Sequence, residues 1–175
     1  MHQTGLVILI PEAEARFGGM RRKFDPQANL GVPAHITILF PFMTPELVDA
    51  EVRRRLTLLF RRFSPFRCVL HQVERFPSTA FLAPALADPF VELTKAVAHE
   101  FPDYPPYGGV YPSVIPHLTI ADGDTYSADI AEQELIADIE GHGPVSAHCG
   151  SVRLLENSSG HWREMDEFAL VGHQG

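Results

Sequence analysis

Two segments of the chain, Pro33-Ala34-His35-Ile36-Thr37-Ile38 and Ile115-Pro116-His117-Leu118-Thr119-Ile120, each deliver a histidine and a threonine two residues apart after a proline-containing turn. Residues two apart on a β-strand share a face. His35 and Thr37 are therefore expected side by side, as are His117 and Thr119. Ile36, Ile38, Leu118 and Ile120 then turn the other way, into a core. Two imidazoles and two hydroxyls can supply an acid, a base and two hydrogen bonds. That is enough equipment for phosphodiester chemistry without a metal.

The triplet alone is a weak signal. Three His-x-Ser/Thr matches occur, where chance gives about one. His2-Gln3-Thr4 is set aside, because its neighbours are polar and no matching element follows it. The other two sit in apolar strands at equivalent places. His71, His99, His142, His148, His161 and His173 have no ligand-like spacing with a cysteine or carboxylate, so no metal site is expected. Gly18-Gly19 and Gly108-Gly109 lack the lysine and flanking pattern of a phosphate loop. Tyr107 and Tyr111, in the loop before the second motif, can stack on a base or close a cleft. Phe42, after the first, is grouped with them as substrate-lining, although a core position suits it better.

With 175 residues, 45% of them hydrophobic, the chain can fill one domain with a substantial core. Leu6 to Ile10 is too short for a secretory signal and no run is long enough to span a bilayer, which points to a cytoplasmic protein. Cys68 and Cys149 read as buried, reduced thiols. The net charge of −8 disfavours a long nucleic acid, whose phosphates call for a positive face. Basic residues cluster as Arg21-Arg22-Lys23, Arg53-Arg54-Arg55 and Arg61-Arg62, the last two on the solvated side of one helix.

These motifs need elements to hold them. Leu6–Ile10 reads as a buried strand and Glu12–Phe24 as a helix, through Phe17, Met20 and Phe24. Thr44-Pro45-Glu46 reads as the start of a helix carrying Val48, Val52, Leu56, Leu59 and Phe63. Strands follow at Phe66–Phe76 and Ala80–Ala83. Asp88-Pro89 opens a helix with Phe90, Leu93, Val97 and Phe101 inward, and Ser127 caps another that ends at Gly141. Val145–Leu155 and Trp162–Val171 read as a hairpin around Asn157-Ser158-Ser159-Gly160. Each half thus runs helix, His-x-Thr strand, helix, strand, strand. This is the signature of an internal duplication, with lobes at about 1–86 and 87–175 of a single domain facing each other across a cleft.

The doubled His-x-Thr strands in matching halves resemble the 2H phosphoesterase superfamily, which includes 2′-5′ RNA ligase-like proteins and 2′,3′-cyclic nucleotide phosphodiesterases. The strings Val32–Phe42 and Tyr111–His117 are similar to its bacterial 2′-5′ RNA ligase-like branch. The resemblance implies a bilobal α+β fold, with two antiparallel sheets facing a central cleft, helices outside and no cofactor. It implies His35 and His117 as catalytic residues and Thr37 and Thr119 as phosphate-binding hydroxyls. Some RNA-processing members carry a basic residue after the second motif, where this chain has Ala121-Asp122-Gly123-Asp124. A small cyclic phosphate or 2′-5′ diester of a nucleotide or RNA end is therefore the expected substrate, with His117 as base and His35 as acid. A monomer with no membrane and no obligate protein partner is expected. RNA 2′-5′ ligation, the reverse reaction, and a non-catalytic nucleotide or RNA-end binding module of the same fold are the alternatives.

Overall fold

The computed structural model describes residues 1–172, so His173 lies outside the described residues. Eight strands and five α-helices follow in the order β1 (Thr4–Leu9), α1 (Pro11–Phe24), α2 (Pro26–Asn29), β2 (His35–Leu39), α3 (Ala50–Phe60), β3 (Phe66–Phe76), β4 (Thr79–Pro84), α4 (Asp88–Glu100), β5 (Leu118–Asp122), α5 (Thr125–His142), β6 (Val145–Cys149), β7 (Ser151–Glu156) and β8 (Arg163–Ala169). The strands form two four-stranded antiparallel sheets, ordered β2-β1-β7-β8 and β5-β4-β3-β6. The α+β class and the paired sheets agree with the sequence reading. Each His-x-Thr segment lies on the edge strand of its sheet, and these two edges pack against each other.

The halves are interleaved, which corrects the expected lobes at 1–86 and 87–175. Each sheet takes two strands from either side of residue 86. Pairing preferences explain this. β3 and β4 form a local hairpin flanked by β5 and β6, while the second edge of β1 is taken by β7, which pairs in turn with β8. The run Val145–Leu155, read as one strand, is two strands in different sheets. Val145, Ala147 and Cys149 are buried before Gly150, and Val152 and Leu154 after it. A one-residue change of phase turns the buried side over, and the chain changes sheets there. One buried cluster, from Leu6, Ile8, Ile36 and Ile38 to Leu70, Leu82, Leu118 and Ile120, runs through both sheets.

The helical stripes hold. Phe90, Leu93 and Val97 of α4, and Phe101 directly after it, are each at most 4% exposed, and burying such a side chain stabilises the fold by roughly 1.5–3 kcal/mol. Two helix starts differ from expectation. Thr44 precedes only a short 3₁₀ turn, Pro45–Leu47; buried Val48 pulls the chain inward, and α3 begins after Asp49, whose carboxylate accepts the Val52 N–H at 2.8 Å. The cap of α5 is Asp124, not Ser127, whose N–H donates to it at 2.7 Å, and the helix runs on to His142. Cys68 and Cys149 are buried free thiols on neighbouring strands. Among the described residues, no helix is long and apolar enough to cross a membrane.

Candidate active site

Both motifs alternate as the two-residue period requires. Ile36, Ile38, Leu118 and Ile120 are at most 1% exposed, while His35, Thr37, His117 and Thr119 are half-buried on the other face. The two rings are anchored alike. Nδ1 of His35 lies 2.8 Å from the Pro33 carbonyl, and Nδ1 of His117 lies 2.7 Å from the Ile115 carbonyl. A carbonyl only accepts, so in each ring Nδ1 carries a proton and Nε2 is the atom free to exchange one.

A cavity borders each motif. The first, about 380 Å³, is lined by His35 and Thr37 with Phe40, Trp162, Gln27 and Asn157 among their neighbours. The second, about 620 Å³, is lined by His117 with Phe76, Tyr107, Tyr111, Ser113 and Asp122. Both volumes suit small-molecule sites. Thr119 shares the half-buried face of its strand without forming part of the second cavity's wall. Tyr107 and Tyr111 line the second cavity, with ring centroids 5.8 Å apart.

Phe42 does not line the site, a correction to the expected set. It is 5% exposed and packs edge-on against Phe101 and Tyr104. Phe40 takes the expected place, and a β-bulge explains why. Leu6 and Val7 of β1 face Leu39 and Thr37 of β2, so Ile38 is an extra residue and the strand changes parity after it. Leu39 goes into the core and Phe40 emerges beside His35 and Thr37. The second motif has the same device. Ala80 and Phe81 face Ala121 and Thr119, leaving Ile120 extra, so Ala121 is buried and Asp122 emerges beside His117. Five residues after each histidine, then, one cavity receives an aromatic ring and the other a carboxylate.

Three further aromatic contacts were not legible in the sequence. The His117 ring packs against Phe76 and Phe81, with centroids 5.5 and 5.2 Å away. Trp162 edges against Phe40 at 5.9 Å, and its indole N–H donates to Gln27 at 3.1 Å. Gly31 permits this approach: its φ is +95°, and a Cβ there would stand 2.9 Å from the Trp162 carbonyl oxygen.

The histidines differ in electrostatics. Burial pushes the His35 imidazole down to about 4, and the nearby Arg21 and His117 charges push the same way. Burial also lowers His117, but the Asp122 carboxylate works against it. A proton shared by the pair therefore rests preferentially on His117. Asp124 faces Ser127 as a helix cap, so only Asp122 of the acidic stretch reaches the cavity. The arginines of α3 pair with carboxylates, Arg53 with Asp166 at 2.8 Å, Arg54 with Glu51 at 2.6 Å and Arg55 with Glu100 at 2.7 Å, and none lines either cavity.

Twin His-x-Thr segments thus stand on edge strands of two antiparallel sheets in an α+β scaffold. The model of the 2′-5′ RNA ligase superfamily matches residues 10–161, and the chain belongs to that family. TT0787 of Thermus thermophilus has a similar fold, with a TM-score of 0.60 at 17% identity, covering 98% of this chain and all of that one. E. coli LigT complexed with 3′-AMP is similar over 97% of this chain and 98% of its own, with a TM-score of 0.61 at 18% identity. A structure described as a phosphoesterase has a TM-score of 0.62 at 17% identity, covering 97% and 98% of the two chains. No curated protein matches the chain in sequence.

Proposed function

We propose that this protein is a cytoplasmic, metal-independent phosphoesterase that hydrolyses a 2′,3′-cyclic phosphate, or a related small cyclic or 2′-5′ diester, of a nucleotide or RNA end. The observation that carries this reading is the pair of histidines on facing edge strands, each with Nδ1 held by the carbonyl two residues before it. His35, the less basic ring, takes a proton from water through Nε2 as the water oxygen attacks phosphorus. His117 enters charged and gives its Nε2 proton to the departing ribose oxygen, so the phosphorus–oxygen ester bond breaks as the new one forms and a monoester is released. This reverses the roles expected from sequence, because burial lowers His35 to about 4, with the Arg21 charge adding to it, while at His117 the effect of burial is opposed by the Ile115 hydrogen bond and by the Asp122 carboxylate. Thr37 and Thr119 donate to the non-bridging oxygens, where charge builds in the transition state.

Ligation of a 2′,3′-cyclic end to a 5′-hydroxyl uses the same displacement, with the 5′-oxygen attacking phosphorus in place of water and the same ribose oxygen leaving with a proton. Cavities on both sides of the histidines lend it some support, since each could hold one of two joined groups. The test is chelator-treated protein incubated with 2′,3′-cyclic nucleotides and with 2′-5′ and 3′-5′ dinucleotides, the products being resolved by position. Full turnover in EDTA to a single monoester isomer is expected. Activity that vanished in EDTA and returned with Zn²⁺ or Mn²⁺ would overturn the metal-free reading. Binding without turnover would leave a nucleotide-binding module.

A further inference from the structure

Behind the two motifs lies a buried ion cluster whose charges reach His35 but which lines neither cavity. Arg21 is at the centre, its side chain 1% exposed. It occupies the apolar stripe of α1 together with Ala13, Phe17 and Phe24, a place where a cation is costly unless every donor is used. Every arm of the guanidinium is in fact engaged. Nε donates to the Thr119 carbonyl at 3.2 Å, and Nη1 to the Val32 carbonyl at 3.0 Å and to Glu14 at 3.0 Å. Nη2 donates to Asp25 at 3.1 Å.

The partners belong to both motifs. Thr119 is the hydroxyl residue of the second, and Val32 leads into the first. Glu14 Oε2, which accepts from Arg21, also accepts the Ala34 N–H at 2.6 Å. The backbone is thereby gripped on both sides of Pro33, and the Pro33 carbonyl is the group that holds the His35 ring. Among the described residues, no other side chain hydrogen-bonds to the backbone of both motif segments.

We propose that Arg21 is a positioning residue that ties the two His-x-Thr segments together, setting the spacing of His35 and His117 across the substrate phosphate. It touches no substrate and works through the backbone. The inference rests on the two-histidine reading above. The planar fork of arginine suits the task, because its donors point in fixed, divergent directions; lysine offers one point charge on a flexible stem. Arg21→Lys should keep the buried charge but lose the simultaneous grip on Thr119 and Val32.

The experiment compares wild type, Arg21→Lys and Asp25→Asn on a small cyclic nucleotide, with thermal melts and NMR titration of the His35 and His117 rings alongside. Asp25→Asn weakens one ion pair, keeps a good cap for α2 and leaves both motif bonds intact. Arg21→Lys is expected to melt cooperatively, to lose 10-fold or more in kcat with KM within about threefold, and to shift the limbs of its pH–rate profile. The charged and titratable groups facing His35 are Arg21, His117 and Glu14, so its ring titration should move in this variant and stay put in Asp25→Asn. Wild-type kcat and pH profile in Arg21→Lys would overturn the proposal, as would an equal loss in Asp25→Asn. Should Arg21→Lys fail to fold, the wild type still decides. Its Arg21 Nε–H should resist solvent exchange and show a through-bond coupling to the Thr119 carbonyl carbon, and absence of both would refute the tie. A wild type inactive on every diester, with the ring titrations still moving in Arg21→Lys, would sink the catalytic reading and leave the tie standing.

Discussion

His35 and His117 share one backbone anchor and differ in what surrounds them, and most of the proposed chemistry follows from that difference. Replacing either with Ala should lower kcat by about 10² or more in a protein that still folds. The double variant should lose far less than the product of the two losses; near-wild-type turnover in either single variant would defeat the assignment. Both rings are held below the ordinary histidine value, His35 at about 4. The base must be neutral and the acid charged, so kcat/KM should form a bell with its optimum on the acidic side of neutrality. A stopped-flow or product-release assay over pH 4–8 checks this, and a plateau extending above pH 8 would contradict it. Stability is linked to the same shift. The unfolded chain protonates near 6.5 and the folded ring only near 4, so the unfolded state binds more protons in that window. Stability should therefore fall as pH drops through it, by up to about 3 kcal/mol, and His35→Gln should remove that slope from urea-unfolding curves. For the threonines, Thr37→Val keeps the branched shape and removes only the donor. A loss of roughly 1–3 kcal/mol of transition-state binding is expected, seen mainly in kcat. The same loss is expected for Thr119→Val, which removes the second donor to the non-bridging oxygens.

The bulges in β2 and β5 decide what surrounds the histidines. Each inserts one residue after the His-x-Thr triplet and sends the next two side chains to exchanged faces. Phe40 and Trp162 thus form an aromatic wall on the His35 side, with amides of Gln27 and Asn157 beside it. Stacking on such a wall contributes roughly 1–3 kcal/mol per base. Trp162→Ala should accordingly raise KM for a cyclic nucleotide while leaving kcat nearly unchanged. An unchanged KM would place the base elsewhere, with Tyr107 and Tyr111 across the cleft as the next candidates. This wall was not legible in the sequence, because a strand's period counts strictly by two and nothing in Ile38-Leu39-Phe40 announces the extra residue. The α1 stripe was more readable. Arg21 stands four residues after Phe17 on its apolar side, a position where a cation signals a partnered interior network.

For the whole molecule, charge and its pairing bear on substrate size. The chain carries −8, the α3 arginines are matched with carboxylates, and Asp122 faces the second cavity. This balance favours a small substrate over a long RNA, whose phosphates call for a positive face. Comparing kcat/KM for a cyclic mononucleotide and for an oligonucleotide ending in the same cyclic phosphate, at two salt concentrations, tests this. Similar values with little salt dependence are expected. A log–log slope of several units would mean that many phosphate contacts release counterions, and the exposed Arg61 and Arg62 would become the first residues to replace.

The sequence by itself determined the local and repetitive features: the two His-x-Thr faces, the bounds Phe66–Phe76 of β3, the buried stripe of α4 and the turn at Asn157–Gly160. Each depends on a period of two or 3.6, or on turn chemistry acting over a few residues, so the information is contiguous. Tertiary structure alone decided which strands share a sheet, where β2 and β5 bulge, and that one buried guanidinium reaches a carbonyl 98 residues away in sequence. These depend on which edges remain unpaired once the hairpins have formed, and on how a buried cation finds acceptors on several segments. Such choices balance long-range pairing against desolvation, and no window of neighbouring residues contains both sides of that balance.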